Sequence, residues 1–162
     1  MTRAVVASSA AGFEETGKSV SKLRKMMLTD FSVTEMDFTA IEDEHYVMDM
    51  FVDDTGIYFV SQYTKWDDEY QKLLDTKCEI VKCDFEGKVI QTVDITEDIA
   101  DKGEEGYPGY VSSLVCDKDN NIVMTDEQSF IMAVDANGNK ITEFELSGYG
   151  NGLTVTQDGT VY

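Results

Sequence analysis

A chain of 162 residues with 42% hydrophobic and 28% charged residues has the make-up of a folded protein with one sizeable core. It contains no run of about 18 apolar residues, so no membrane span is predicted. Its net charge of −19, from 32 acidic and 13 basic residues, disfavours binding to nucleic acid or to an anionic lipid surface.

The charge is unevenly placed. Residues 1–27 hold Arg3, Lys18, Lys22, Arg24 and Lys25 against Glu14 and Glu15, a net of +3 that leaves −22 for the rest. Met1-Thr2-Arg3 followed by small and apolar residues to Ala11 has the shape of a signal peptide, but its apolar stretch is short and no lipobox cysteine follows. Gly12-Phe13-Glu14-Glu15-Thr16-Gly17-Lys18-Ser19 matches the phosphate-loop pattern, with a helix predicted from Val20 to Leu28 behind it. Glu14 and Glu15 would repel a phosphate there, and nothing after residue 30 alternates strand with long helix as such a domain requires. Residues 1–29 are therefore expected as a leader or a helical or irregular segment. Residues 30–40 alternate apolar and polar for part of their length, as a strand that pairs with the last blade of a complete ring would.

From residue 46 the chain repeats. Leu114-Val115-Cys116-Asp117-Lys118-Asp119-Asn120-Asn121-Ile122-Val123 aligns without a gap with Leu153-Thr154-Val155-Thr156-Gln157-Asp158-Gly159-Thr160-Val161-Tyr162, 39 residues on. Met50-Phe51-Val52-Asp53 opens a third copy. A second element, Lys82-Cys83-Asp84-Phe85-Glu86-Gly87-Lys88, recurs as Ala133-Val134-Asp135-Ala136-Asn137-Gly138-Asn139. Asp with Gly three residues later is the chemistry of a tight hairpin: the carboxylate bonds local amides and glycine supplies positive φ.

Two hairpins in series make a four-stranded antiparallel unit. Strands are predicted near 47–53, 57–62, 78–84 and 88–94, and again near 110–116, 121–125, 129–134 and 139–145. A period of 39 fits the blade of a β-propeller, typically about 40–45 residues. The fold class is thus all-β, with four-stranded antiparallel blades over 46–95, 109–146 and 150–162 within a propeller part spanning 30–162. About two and a half blades do not close a ring of roughly four to eight, so an incomplete propeller is expected.

Residues 63–77 read as an insertion between the second and third strands of the first blade. Tyr63, Trp66 and Tyr70 stand there beside Asp67, Asp68 and Glu69, and aromatic faces with acidic neighbours suit a sugar or a cationic ligand. Trp66, Tyr70, Leu73 and Leu74 also have the spacing of a short amphipathic helix packed on the blade. Asp117-Lys118-Asp119-Asn120-Asn121 starts like a calcium loop, but Ile122 and Gln128 stand where glycine and glutamate are needed, so a hairpin turn is the reading. Asp135-Ala136-Asn137-Gly138-Asn139 reads the same way.

No catalytic set, metal site or cofactor is predicted. His45 is the only histidine, which leaves no Ser/His/Asp grouping, and three cysteines without a CxxC pair fall short of a zinc site. Cys78 and Cys83 are five apart, on opposite faces of a strand, and Cys83 and Cys116 read as packing residues.

The turn motifs, with Asp117-Lys118-Asp119-Asn120-Asn121-Ile122-Val123, Phe130-Ile131-Met132-Ala133-Val134-Asp135-Ala136-Asn137-Gly138 and the acidic aromatic insertion, resemble bacterial NHL-like β-propellers. In particular they resemble the N-terminal propeller region of extracellular solute-binding lipoproteins of Gram-positive ABC transporters. The resemblance covers roughly residues 45–162. It implies a non-catalytic binding or sensing module outside the cytoplasm, at the cell surface, with a small-molecule or carbohydrate ligand. Its implied partners are the remaining blades or a C-terminal solute-binding domain. Two alternatives stand beside it. One is a propeller hydrolase or lyase acting on a sugar or lactone, with carboxylates and a metal at the ring's central mouth, which would need a closed ring and acidic or histidine side chains such as Asp49 facing the axis. The other is nucleotide binding at 12–19.

Overall fold

A computed structural model describes residues 12–13, 19–20, 24–27, 29–35, 45–69, 71–100, 108–126, 130–147 and 152–162. The chain is all-β. Two short antiparallel pairs come first: β1 (Gly12–Phe13) with β2 (Ser19–Val20), and β3 (Arg24–Met26) with β4 (Val33–Glu35). Of the helix predicted over 20–28, the described residues are not helical: Val20 and Arg24–Met26 lie on strands. A turn at Thr29-Asp30 reverses the chain, with Phe31 in the left-handed region at φ 56° and its N–H donating to Met27 O at 2.8 Å. The strand expected in 30–40 is β4, and its partner is β3 rather than a distant blade.

A four-stranded meander follows, β5 (Tyr46–Val52), β6 (Ile57–Trp66), β7 (Leu73–Cys83) and β8 (Val89–Asp94), hydrogen-bonded in that order. The short helix α1 (Thr96–Ile99) leads out of it. A second meander repeats the order with β9 (Ser113–Cys116), β10 (Ile122–Thr125), β11 (Phe130–Val134) and β12 (Lys140–Glu145). A third unit begins as a single Val155–Val161 bridge. Every strand of the two meanders lies within a few residues of its predicted place, except across 63–77. Among the described residues that segment is no helix, and most of it is strand. β6 and β7 run on and pair through it, Tyr63 with Lys77, Thr64 with Thr76 and Trp66 with Leu73. β-Branched and aromatic residues favour the strand, and Asp67 closes the hairpin by accepting the N–H groups of Gln71 at 2.8 Å and Lys72 at 3.2 Å.

The two meanders pack face to face along a seam, with β5 and β9 as neighbours. Strand alternation places Tyr58, Val60, Cys78, Ile80 and Val93 of the first sheet against Cys116, Ile122, Met124, Met132 and Val134 of the second. Ile95, Ile99 and Val111 of the connecting segment seal one end of this core. A fully buried side chain of this kind contributes about 1.5–3 kcal/mol. Ile57, Phe59, Val81 and Cys83, on the other face of the first sheet, are equally buried. The arrangement is that of an incomplete propeller, and the described residues form no closed ring.

Candidate functional site

The two ends of the sheets are chemically different. At one end, every reversal is a tight turn organised by a side-chain oxygen. Asp53 Oδ1 accepts the N–H of Thr55 at 2.7 Å and of Gly56 at 3.1 Å. Asp84 Oδ1 accepts from Glu86 and Lys88 at 3.0 and 2.8 Å. Asp117 Oδ1 takes the amides of Asp119 and Asn121, both at 2.8 Å, while its Oδ2 takes Asn121 Nδ2 at 2.9 Å. Asp135 repeats this with Asn137 and Asn139. The carboxylates of Asp117 and Asp135 are held below the usual range. For Asp135 the side-chain bond from Asn139 matters most; for Asp117 burial pushes the other way, and the bonds from Asn121 and Asp119 together with the charge of Lys118 outweigh it. Both oxygens of Asp117 and of Asp135 are thus engaged by the turn, as the hairpin reading of these calcium-like segments requires.

The other end carries the long connections, and there the buried polar side chains gather. His45, Ser61, Gln62, Ser113, Thr125 and Asp126 are all buried, at the start of β5 and β9, midway along β6 and at the far end of β10. Ser61 Oγ lies 2.9 Å from His45 Nδ1, and the imidazole stacks on Tyr63 at 5.3 Å between centroids. Gln62 Nε2 donates to Gly109 O at 2.9 Å, tying β6 to the segment ahead of β9. Thr125 Oγ1 donates to Phe130 O at 2.7 Å, and Asp126 Oδ1 accepts the Phe130 N–H at 3.1 Å. Gln62 Oε1 is buried without a hydrogen-bond donor among the described residues.

The β6–β7 hairpin overhangs this end. Tyr46 at the start of β5 pairs with Gln62, so, among the described residues, 63–66 pair with β7 alone. Four residues of strand extend it by roughly 13 Å. Of the aromatic residues singled out in the sequence, Tyr63 sits at the base of the overhang on His45, and Trp66 lies half-buried near its tip. Three positions apart on one strand, they point to opposite faces. Tyr70 lies outside the described residues.

Asp49 has a structural partner. A bulge in β5 between Val47 and Met50 re-aims its carboxylate, and Oδ2 accepts the N–H of Leu114 on β9 at 2.9 Å. In the segment with the phosphate-loop pattern, Gly12 pairs with Val20 and Phe13 with Ser19 in a β-ladder. Ser19 therefore lies on a strand rather than at the head of a helix, where that loop chemistry needs it. The cysteines are buried free thiols. Burial pushes Cys78 up to about 12, helped by Asp94 and Glu79, and pushes Cys83 and Cys116 up to about 11. Thiols this reluctant to ionise are packing groups.

The polar cluster was missed by sequence reasoning because its members come from segments up to about 80 residues apart. The available signal was the Ser61-Gln62 pair, two polar residues directly after the apolar run Ile57–Val60. No family model matches the chain, and no curated protein matches it.

Proposed function

We propose that this chain is a non-catalytic binding module that takes its ligand at the end of the sheets where the long connections lie. The observation that carries this reading is the gathering of buried hydroxyl, amide, imidazole and carboxylate groups at that end, with the buried Gln62 Oε1 short of a donor among the described residues. A buried acceptor left unsatisfied costs about 1–3 kcal/mol, and a ligand hydroxyl would relieve it. Hydrogen-bonding groups beneath an aromatic overhang suit a small hydroxylated molecule such as a carbohydrate, with Trp66 as the apolar surface. The resemblance of residues 45–162 to the propeller region of solute-binding lipoproteins supports an extracytoplasmic setting and a role in solute capture for transport. Asp49, the example of an axis-facing carboxylate for the hydrolase alternative, accepts the Leu114 N–H instead.

Trp66 is the only tryptophan, so intrinsic fluorescence reports on the overhang directly. Titration with a panel of mono- and oligosaccharides should give a saturable change that Gln62→Leu weakens about tenfold or more, the loss of one buried hydrogen bond. A panel that leaves the fluorescence flat, or binding indifferent to Gln62→Leu, would remove the basis of the reading.

A further inference from the structure

At the opposite end, among the tight turns, a cavity of about 260 Å³ opens in the seam between the two meanders. Its floor is apolar, made by Ile80 and Val93 of the first sheet and Ile122 of the second, with Tyr58 as one wall. Two turns of the second sheet roof it, through Asp119 and Asn120 on one side and Ala136 on the other. The roof is fixed in place. Gln91 Nε2 donates to Ala136 O, and Gly138, at φ +86°, lies so close to β8 that an added Cβ would come 2.2 Å from Val93 Cγ1. The cavity is therefore preformed, and below the ~300–1,000 Å³ common for drug-sized ligands.

Its polar groups form a dipole. Lys82 Nζ lies 4.7 Å from the centroid of the Tyr58 ring and donates to Thr55 Oγ1 at 3.0 Å, and Thr55 Oγ1 in turn donates to Asp53. Lys82 forms no ion pair with any described residue, and the ammonium has two further N–H donors to offer. Asp119 supplies the opposite charge: Lys118 holds its Oδ2 at 2.9 Å. Gln91 and Asn120 are the other polar residues of the lining.

We propose that this cavity binds a small zwitterion with an apolar body, an aliphatic α-amino acid, independently of the site at the other end. The carboxylate meets Lys82, the ammonium meets Asp119 and Gln91 Oε1, and the side chain lies on Ile80, Val93 and Ile122. Charge decides between ligand classes. A chain of net charge −19 repels a plain anion, Lys82 and Asp119 line the cavity as one charge of each sign, and a zwitterion adds no net charge.

The test is calorimetric titration of the full chain with L-leucine, alongside amide chemical-shift mapping. Leucine should bind and shift the Gln91 side-chain amide and the Asn120 and Ala136 backbone amides. Lys82→Gln should weaken binding about tenfold or more, and 4-methylpentanoate and isoamylamine, each carrying one of the two charges, should bind at least about tenfold more weakly. Ala136→Phe, which leaves every charge in place and fills the cavity, should abolish binding with the thermal midpoint showing a folded protein. Silence with leucine, binding unchanged in Lys82→Gln or Ala136→Phe, or equal binding of 4-methylpentanoate would each overturn the proposal.

Discussion

The carboxylate of Asp49 crosses the seam between the two sheets to accept the backbone N–H of Leu114 at 2.9 Å. The same bond recurs one unit later. Ser113, which occupies in β9 the place Asp49 has in β5, accepts the N–H of Leu153 at 3.1 Å. In both cases the residue four positions before the turn residue of one unit bonds the amide one position further along in the next. A repeated side-chain-to-backbone bond of this kind fixes the register between successive sheets, which apolar packing leaves free to slide.

Removing that acceptor should therefore loosen the seam. Asp49→Ala leaves the Leu114 amide, in a residue 2% exposed, without its partner, at a cost of about 1–3 kcal/mol. Asp49→Asn keeps an acceptor oxygen and should recover most of the loss. Urea denaturation of the three proteins makes the comparison. Equal stability of Asp49→Ala and the parent would mean the bond does not hold the seam.

Gly138 provides a steric check on how the turns of the second sheet dock on the first. Gly138→Ala is strained twice, by φ +86° and by the approach to Val93, and should cost about 1–3 kcal/mol. Val93→Ala removes the neighbour but not the backbone strain, so the double variant should lose less than the sum of the two single losses. Simple additivity in thermal unfolding would show that the two residues do not touch.

The thiols predict an alkaline limit. A group whose pKa is raised by folding stabilises the native state in full below its unfolded value and loses that contribution as pH rises through the folded one. For Cys78, the ordinary value of 9.0 and the folded value of about 12 place the loss between about pH 9 and 12. Unfolding free energy should fall over that window, less steeply in Cys78→Ala. At pH 8 the native protein should resist Ellman's reagent and release three equivalents only in denaturant. Rapid labelling of the native chain would contradict the burial on which this rests.

What was legible in the sequence was local. Asp117, Asp135 and Asp84 declared their turns because one carboxylate bonding nearby amides is a short-range device, and the strands on either side followed. Asp67 is the same device, yet its hairpin was read as insertion or helix. The spacing of Trp66, Tyr70, Leu73 and Leu74 fits a helical period, and two extended strands joined by a turn can mimic it. The helix expected over 20–28 failed because pairing of Arg24–Met26 with Val33–Glu35 overrode local preference. His45 looked isolated for a different reason: its partners Ser61 and Tyr63 are 16 and 18 positions away, and only the β5–β6 register brings them together. The inter-sheet bonds of Asp49 and Ser113 depend on a bulge and on packing between units, neither of which a single strand's pattern encodes.

Amide chemical-shift mapping of the full chain against a carbohydrate panel tests the central claim most directly. The account predicts perturbations concentrated at Gln62, Tyr63, Trp66, Gly109 and Asp126, with the turns at Asp84, Asp117 and Asp135 unmoved. Shifts centred on those turns, or no shift with any sugar, would contradict it.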